Sequence, residues 1–253
     1  MAEDILRVSK GSPASRVKLH TNAVVGMADK FASFHDRTVE IHVGPDHRVF
    51  SVHEKLICAS SDFFKDGMSR DWKESRERTF TFEYDEPEIF DIYACWLYYQ
   101  KFPTRLDRGG LEGNKEYVQL AKAYVLGEKL QDRDFQDAVI DAVVDKSNHL
   151  TEGNKTWSPV GDAVKIIYDG TPDTSPAQKL LVDIHCHYGH TLWLTDHCPP
   201  NKDIPHDFLL DLARKMFDER PKPNCMAEEK PKGKAASCRY HNHGSYQACF
   251  KKR

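Results

Sequence analysis

The chain has no long apolar run. No stretch approaches the roughly 20 consecutive apolar residues that a membrane-spanning helix needs. The first residues lack the apolar core of a secretion signal, so neither a span nor an export signal is expected. Cysteine is sparse, seven in all between Cys58 and Cys249, an odd number without the regular spacing of a secreted disulfide framework. A reducing cytoplasmic or nuclear setting is expected. Charge of one sign is lacking as well: a formal net charge of −3 gives the chain no general attraction to nucleic acid or to a membrane surface. Phosphate-cradling loops are missing, because Gly109, Gly110 and Gly113 lack the accompanying Lys and the strand–helix context. No internal repeat is visible.

What is present is core material. With 253 residues, 40% of them hydrophobic, the chain can bury the interior of one domain or two small ones. Residues 1–35 are polar and mixed, with Gly11, Ser12 and Pro13 together; a flexible leader is expected, with a short helix near Val24–Phe34. Residues 36–146 carry dense structural signals. TVEIHV alternates, placing Val39, Ile41 and Val43 on one face of a half-buried strand. GPDHR is a turn cluster and VFSVH a returning strand, which together predict a hairpin. EKLICASSDFF reads as one short helix, and TFTFEY as a third strand with Phe80, Phe82 and Tyr84 on one side.

Helices dominate the rest of this segment. EPEIFDIYACWLYYQ has Asp85 or Glu86 to cap it and Pro87 in its first turn, and apolar residues run nearly all the way round it. Asn114 is placed to cap a helix through Tyr117, Leu120 and Tyr124. DRDFQDAVIDAVVDK then spaces Phe135, Ala138, Val139, Ala142 and Val143 helically. The expected class is α+β, a small sheet covered by helices. Residues 147–219 form a helical extension, in which SPAQKLLVDIHCHY spaces Ala177, Leu180, Leu181 and Ile184, and PHDFLLDLARKMF spaces Phe208, Leu212 and Met216. Residues 220–253 hold nine Lys or Arg against two acids and have no apolar face, which predicts a flexible basic tail. KPKGK has no interleaved aromatics, so nucleic acid is not an expected partner.

The stretch VFSVHEKLICASSDFF gathers His53, Glu54, Cys58, Ser60, Ser61 and Asp62, the side chains of nucleophilic catalysis. Spacing argues against that use. Positions five apart on a helix point about 140° away from each other, and Cys58 lies between Ile57 and Ala59 with no cation close in sequence to lower its pKa. Ser60–Ser61–Asp62 also lacks a G-x-S-x-G elbow. Packing and capping are the expected roles, and no catalytic residue is assigned.

The same stretch resembles the core signature of BTB/POZ domains, in which an F-x-V/I-H-K strand end leads to an L-L/I-C-x-x-S helix and an F-F close. VEIHVGP is similar to the family's first strand, DWKES and FEYDEPEIFDIYACWLYY to the segments that follow, and LAKAYVLGEKL to a later helix. The resemblance covers roughly Asp36–Lys146. The VGP turn, EPEIF…WLYY and the later KIIYDGT…SPAQKLLVDI are most like the large fungal group of the family. It implies a BTB/POZ fold and a non-enzymatic protein–protein interaction module, with self-association common. In many members it implies a substrate adaptor that docks cullin-3 of a ubiquitin ligase and presents a client with another region.

Cullin-binding members carry a hydrophobic–x–Glu triplet before the third strand, and Trp72–Lys73–Glu74 occupies the matching place. An aromatic anchor with an orienting carboxylate suits such a contact; the other reading packs Trp72 onto its own domain. Thr38 stands where many animal members have an acidic residue, so their charged pocket and strand-exchanged dimer are not implied. The alternative function is a self-associating scaffold or transcription-linked partner with no cullin.

Two clusters have metal-ligand chemistry. Cys238, His241, His243 and Cys249 supply the Cys2His2 set of structural zinc, with Cys225 nearby. The H-x-H spacing is tight, and the other reading is a tail whose Cys and His are incidental. His185, Cys186, His187 and His190 gather at one helix end, where a metal would need a further ligand such as Cys198; the alternative is a polar helix end with neutral histidines.

Overall fold

Val39, Ile41 and Val43 are fully buried, while Thr38 and Glu40 on the other face are exposed and His42 is half-buried, so the alternation of TVEIHV is realised residue by residue. The computed structural model of the chain describes residues 37–69, 76–102, 109–151, 154–190, 193 and 204–220. Two compact units are present, one ending at Trp157 and the other starting at Ser158. The first is an α+β unit and the second, in its described part, is helical.

In the first unit β1 (Thr38–Val43) is the central strand of a three-stranded sheet of order β2-β1-β3. β2 (Arg48–His53) pairs with it antiparallel, with Ile41 opposite Phe50; β3 (Thr79–Phe82) pairs parallel, with Ile41 opposite Phe80. The hairpin turn needs a left-handed residue at Gly44 (φ +79°), and a Cβ there would sit 3.0 Å from Pro87 Cγ.

The segment 54–69 is two helices, not the one its pattern predicts. α1 (Glu54–Ser60) and α2 (Asp62–Ser69) are separated by Ser61, whose backbone is extended. The Ser61 hydroxyl explains the break. It accepts from Phe64 N–H at 3.3 Å, the bond of an N-cap, and donates to Leu130 C=O at 2.5 Å, so leaving the helix satisfies two backbone groups at once. β3 also ends earlier than TFTFEY suggests: Phe80 and Phe82 are buried, but Tyr84 lies in the following turn and is 97% exposed.

α3 (Pro87–Tyr99) starts with its predicted proline and buries Ile89, Phe90, Tyr93, Trp96 and Leu97. Each such side chain is worth about 1.5–3 kcal/mol of hydrophobic burial. Its N-cap Glu86 makes no capping bond, because Lys122 takes its carboxylate at 2.5 and 2.8 Å. α4 (Gly110–Leu130) begins a turn before the expected Asn114, which lies inside the helix. α5 (Arg133–Asn148) has Asp132 as its N-cap. An unbroken series of ring contacts from Phe63 through Phe64, Phe82, Phe90 and Tyr93 to Phe135, with centroids 4.9–6.0 Å apart except for 6.5 Å between Phe82 and Phe90, ties sheet and helices into one core.

The second unit contains α6 (Asp162–Gly170), α7 (Pro176–Tyr188) and α8 (His206–Glu219). Ser175 caps α7 by accepting from Ala177 N–H at 3.3 Å, and Pro176 follows it as the sequence predicts. Ile167, Leu181, Ile184, Phe208 and Leu212 are buried. Met216, expected on that face, is 54% exposed, since the helix needs only Phe208 and Leu212 to seat it. Among the described residues, no helix is long and apolar enough to cross a membrane. The leader with its expected helix near residues 24–34, and the tail 221–253, lie outside the described residues.

Asp132 is fully buried and accepts three bonds, from Ser60 Oγ (2.6 Å), Tyr93 Oη (2.9 Å) and Phe135 N–H (3.0 Å). Replacing it with Ala removes a cap and strands the buried Tyr93 hydroxyl and the half-buried Ser60 hydroxyl, so Asp132→Ala is expected to cost about 3 kcal/mol. Asp132→Asn, which keeps the capping oxygen, is expected to cost less. Urea denaturation of the three proteins measures both; equal stability of Asp132→Ala and the unchanged protein contradicts the hub role.

Candidate functional site

Of the residues that first suggest catalysis, His53, Glu54, Ser60 and Ser61 are engaged in architecture. His53 lies at the end of β2, and its Nδ1 and backbone N–H meet Tyr98 Oη at 2.7 and 3.2 Å. Ser60 donates to Asp132, Ser61 to Leu130, and the Glu54 carboxylate forms an ion pair with Arg78. Burial pushes the Asp132 carboxyl up from the ordinary carboxylate range, against the downward pull of its three donors. The Tyr93 hydroxyl is held well above the usual tyrosine value, first by burial and then by the neighbouring Asp132. These groups brace α1, α3 and α5 against one another.

The surface of the first unit has a groove between α3 and α4, of about 350 Å³. Ile92, Phe102 and Leu120 form its apolar part, and Glu88, Asp91 and Glu116 surround it. Asp91 pairs with Arg48 at 3.0 Å. Glu116 pairs with Lys146 at 2.5 Å, and the Lys146 ammonium, its side chain 2% exposed, also lies 5.2 Å from the Tyr117 ring centre. Sequence reasoning did not single this groove out. Glu88, Asp91 and Ile92 share a helix face by spacing, but Glu116 joins them only through the packing of α4 on α3.

Trp72, Lys73 and Glu74, the expected partner-contact triplet, fall in 70–75, between the end of α2 and β3, outside the described residues. So do Cys238, His241, His243 and Cys249, the expected zinc set, and Cys198.

The histidine–cysteine cluster at the end of α7 divides. His185 turns inward among α7 and α8: its ring lies 4.9 Å from that of Phe208 and 5.1 Å from that of Trp193, and its Nδ1 is 2.8 Å from Leu181 C=O. Burial pushes its pKa below the ordinary histidine value. Cys186 and His187 face outward instead, where they meet Glu219 at the end of α8. Glu219 is 33 residues from Cys186 in sequence, and no local pattern announces the meeting.

Two expectations follow. Lys146→Met leaves the Glu116 carboxylate without its buried cation and is expected to lower stability by about 3–5 kcal/mol, whereas Lys146→Met with Glu116→Leu recovers most of the loss; denaturant midpoints of both test this. For His185 the depressed folded pKa means that the unfolded chain binds the proton more readily. Its contribution is present above about pH 6.5 and is lost as pH falls below that toward the folded value. A thermal midpoint that falls between pH 7 and pH 5, with a shallower slope in His185→Leu, is expected; identical slopes contradict it.

No protein-family model matches this chain, and no curated protein matches it either, so the functional reading rests on its residues and its fold.

Proposed function

We propose that the first unit is a BTB/POZ-type interaction module without catalytic activity, and that the chain is a substrate adaptor of a cullin-3 ubiquitin ligase. The observation that carries this reading is the route of the chain. An antiparallel hairpin leads through two short helices to a strand that lies parallel beside β1, and three helices follow. The residues that carry the family resemblance hold places consistent with such a core: Val52, Ile57 and Phe64 are buried and Ser61 caps α2. Trp72 and Glu74 are assigned to the cullin contact, and the second unit or the tail to the client.

One feature favours the reading without a cullin, in which the chain is a self-associating scaffold. Among the described residues β2 lies at an edge of the sheet, and Val49 on it is 53% exposed, a surface suited to pairing with a second copy.

The test is calorimetry of the full chain with the N-terminal domain of cullin-3, alongside sedimentation of the chain alone. Binding at about micromolar Kd or tighter is expected. It should be lost in the Trp72→Ala, Glu74→Ala double variant while circular dichroism and the thermal midpoint stay unchanged. A folded full chain that does not bind overturns the adaptor reading. In that case, a dimer weakened by Val49→Lys supports the scaffold.

A further inference from the structure

Cys186 Sγ, a ring nitrogen of His187 and one carboxylate oxygen of Glu219 all lie within 4.8 Å of one another on the surface of the second unit. We propose that these three atoms form a binding site for a borderline-soft divalent metal, zinc above all, that clips the end of α7 to the end of α8. The site uses none of the tail-cluster residues and does not depend on the reading of the first unit.

The geometry is near what a tetrahedral ion requires. Bonds of about 2.0–2.3 Å place neighbouring donors roughly 3.3–3.8 Å apart. Cys186 Sγ lies 3.2 Å from Glu219 Oε2, and His187 Nε2 lies 3.9 Å from the same oxygen. One carboxylate oxygen therefore lies within reach of both other donors, and small rotations of the three side chains close the triangle around an ion. The side chains of His187 and Glu219 are 55% and 38% exposed, which leaves the fourth position open to water.

The surroundings orient the ligands. His187 Nδ1 lies 2.9 Å from Asp183 C=O. A carbonyl can only accept, so the proton belongs on Nδ1 and the lone pair on Nε2, the tautomer and backing that a ligating histidine needs. Lys215 Nζ holds the other oxygen of Glu219 (Oε1, 3.1 Å) and also Asp183 Oδ1 (2.9 Å), which keeps Oε2 turned toward the sulfur and nitrogen. Lys215 is thus a positioning residue. With the thiol ionised and a divalent ion bound, the charges of Asp183, Lys215, Glu219, the thiolate and the metal cancel.

Without metal, the thiol donates to Glu219 Oε2. On binding, the S–H bond breaks, a sulfur–metal bond forms and the proton leaves to solvent. Nothing is oxidised or reduced. Thiolate with imidazole selects zinc-like ions over magnesium and calcium, which prefer all-oxygen sites.

The experiment is a cobalt(II) titration of the full chain carrying Cys198→Ser, Cys225→Ser, Cys238→Ser and Cys249→Ser, so that no thiol outside the described residues contributes. One equivalent is expected, with a near-ultraviolet thiolate-to-cobalt band and visible bands of tetrahedral strength. Adding Cys186→Ser should abolish the thiolate band and weaken binding by about 100-fold or more, and Glu219→Gln should weaken it by at least about 10-fold. Cys58→Ser should change neither. Both substituted residues are at helix ends, and circular dichroism checks that the fold persists. In the otherwise unchanged chain, Cys186→Ser should reduce the cobalt bound with thiolate character by one equivalent. A band that survives Cys186→Ser, metal bound without a thiolate band, or thiolate binding confined to the intact tail each overturns the proposal.

Discussion

The junction between the ends of α1 and α4 is the constraint on which the first unit depends. α4 leaves its last turn through Gln131 in the left-handed conformation, and Asp132 N–H returns to Gly127 C=O at 3.0 Å. A Cβ on Gly127 would stand 2.8 Å from Gln136 Cγ and 3.0 Å from Phe135 Cδ1, so any larger residue there would push aside side chains of the first turn of α5. That tight return sets the Leu130 carbonyl before Ser61 and the Asp132 carboxyl before Ser60 and Tyr93. Two helices, a turn and the centre of α3 are fixed by one short corner. The penalty for leaving any of these buried polar groups unpaired, about 1–3 kcal/mol each, makes the corner specific as well as stable.

The corner also accounts for what could and could not be read from the sequence. Elements whose signal is local were legible: the alternation of β1, the turn at Gly44, the Pro87 and Ser175–Pro176 helix starts, and the spacing of Phe135 and Val139. The break at Ser61 was not, because its cause is the Leu130 carbonyl, 69 residues away. Glu86 holds the N-cap position of α3 as expected, but its side chain makes no capping bond for a like reason, since Lys122 claims the carboxylate. Tyr84 and Met216 continue their patterns by spacing yet stay outside, because a pattern says which face a residue points to and not where the neighbouring element stops.

Site residues follow the same division. Cysteine, histidine, serine and acid within one short stretch form a catalytic pattern only if their side chains converge on a common point. In the first unit the named partners diverge: His53 to Tyr98, Ser60 to Asp132, Glu54 to Arg78. Each partner lies on another element or beyond the next turn, so these polar side chains do the work of joining elements.

The histidine–cysteine group on α7 shows the opposite outcome from similar ingredients. His185 faces the core and makes aromatic contacts, while the next two residues face outward and share the company of Glu219 and Lys215. Positions two apart on a helix point about 200° apart, so His187 faces away from His185, and only the outer two share a surface with Glu219. What makes the outer pair chemically distinct is not its composition but its backing. A carbonyl fixes the proton of His187, a lysine fixes one oxygen of Glu219, and the remaining lone pairs are left to face a common point. Donor atoms held by such supports lose little freedom when an ion arrives, and preorganisation of this kind separates a binding site from a chance cluster of polar residues.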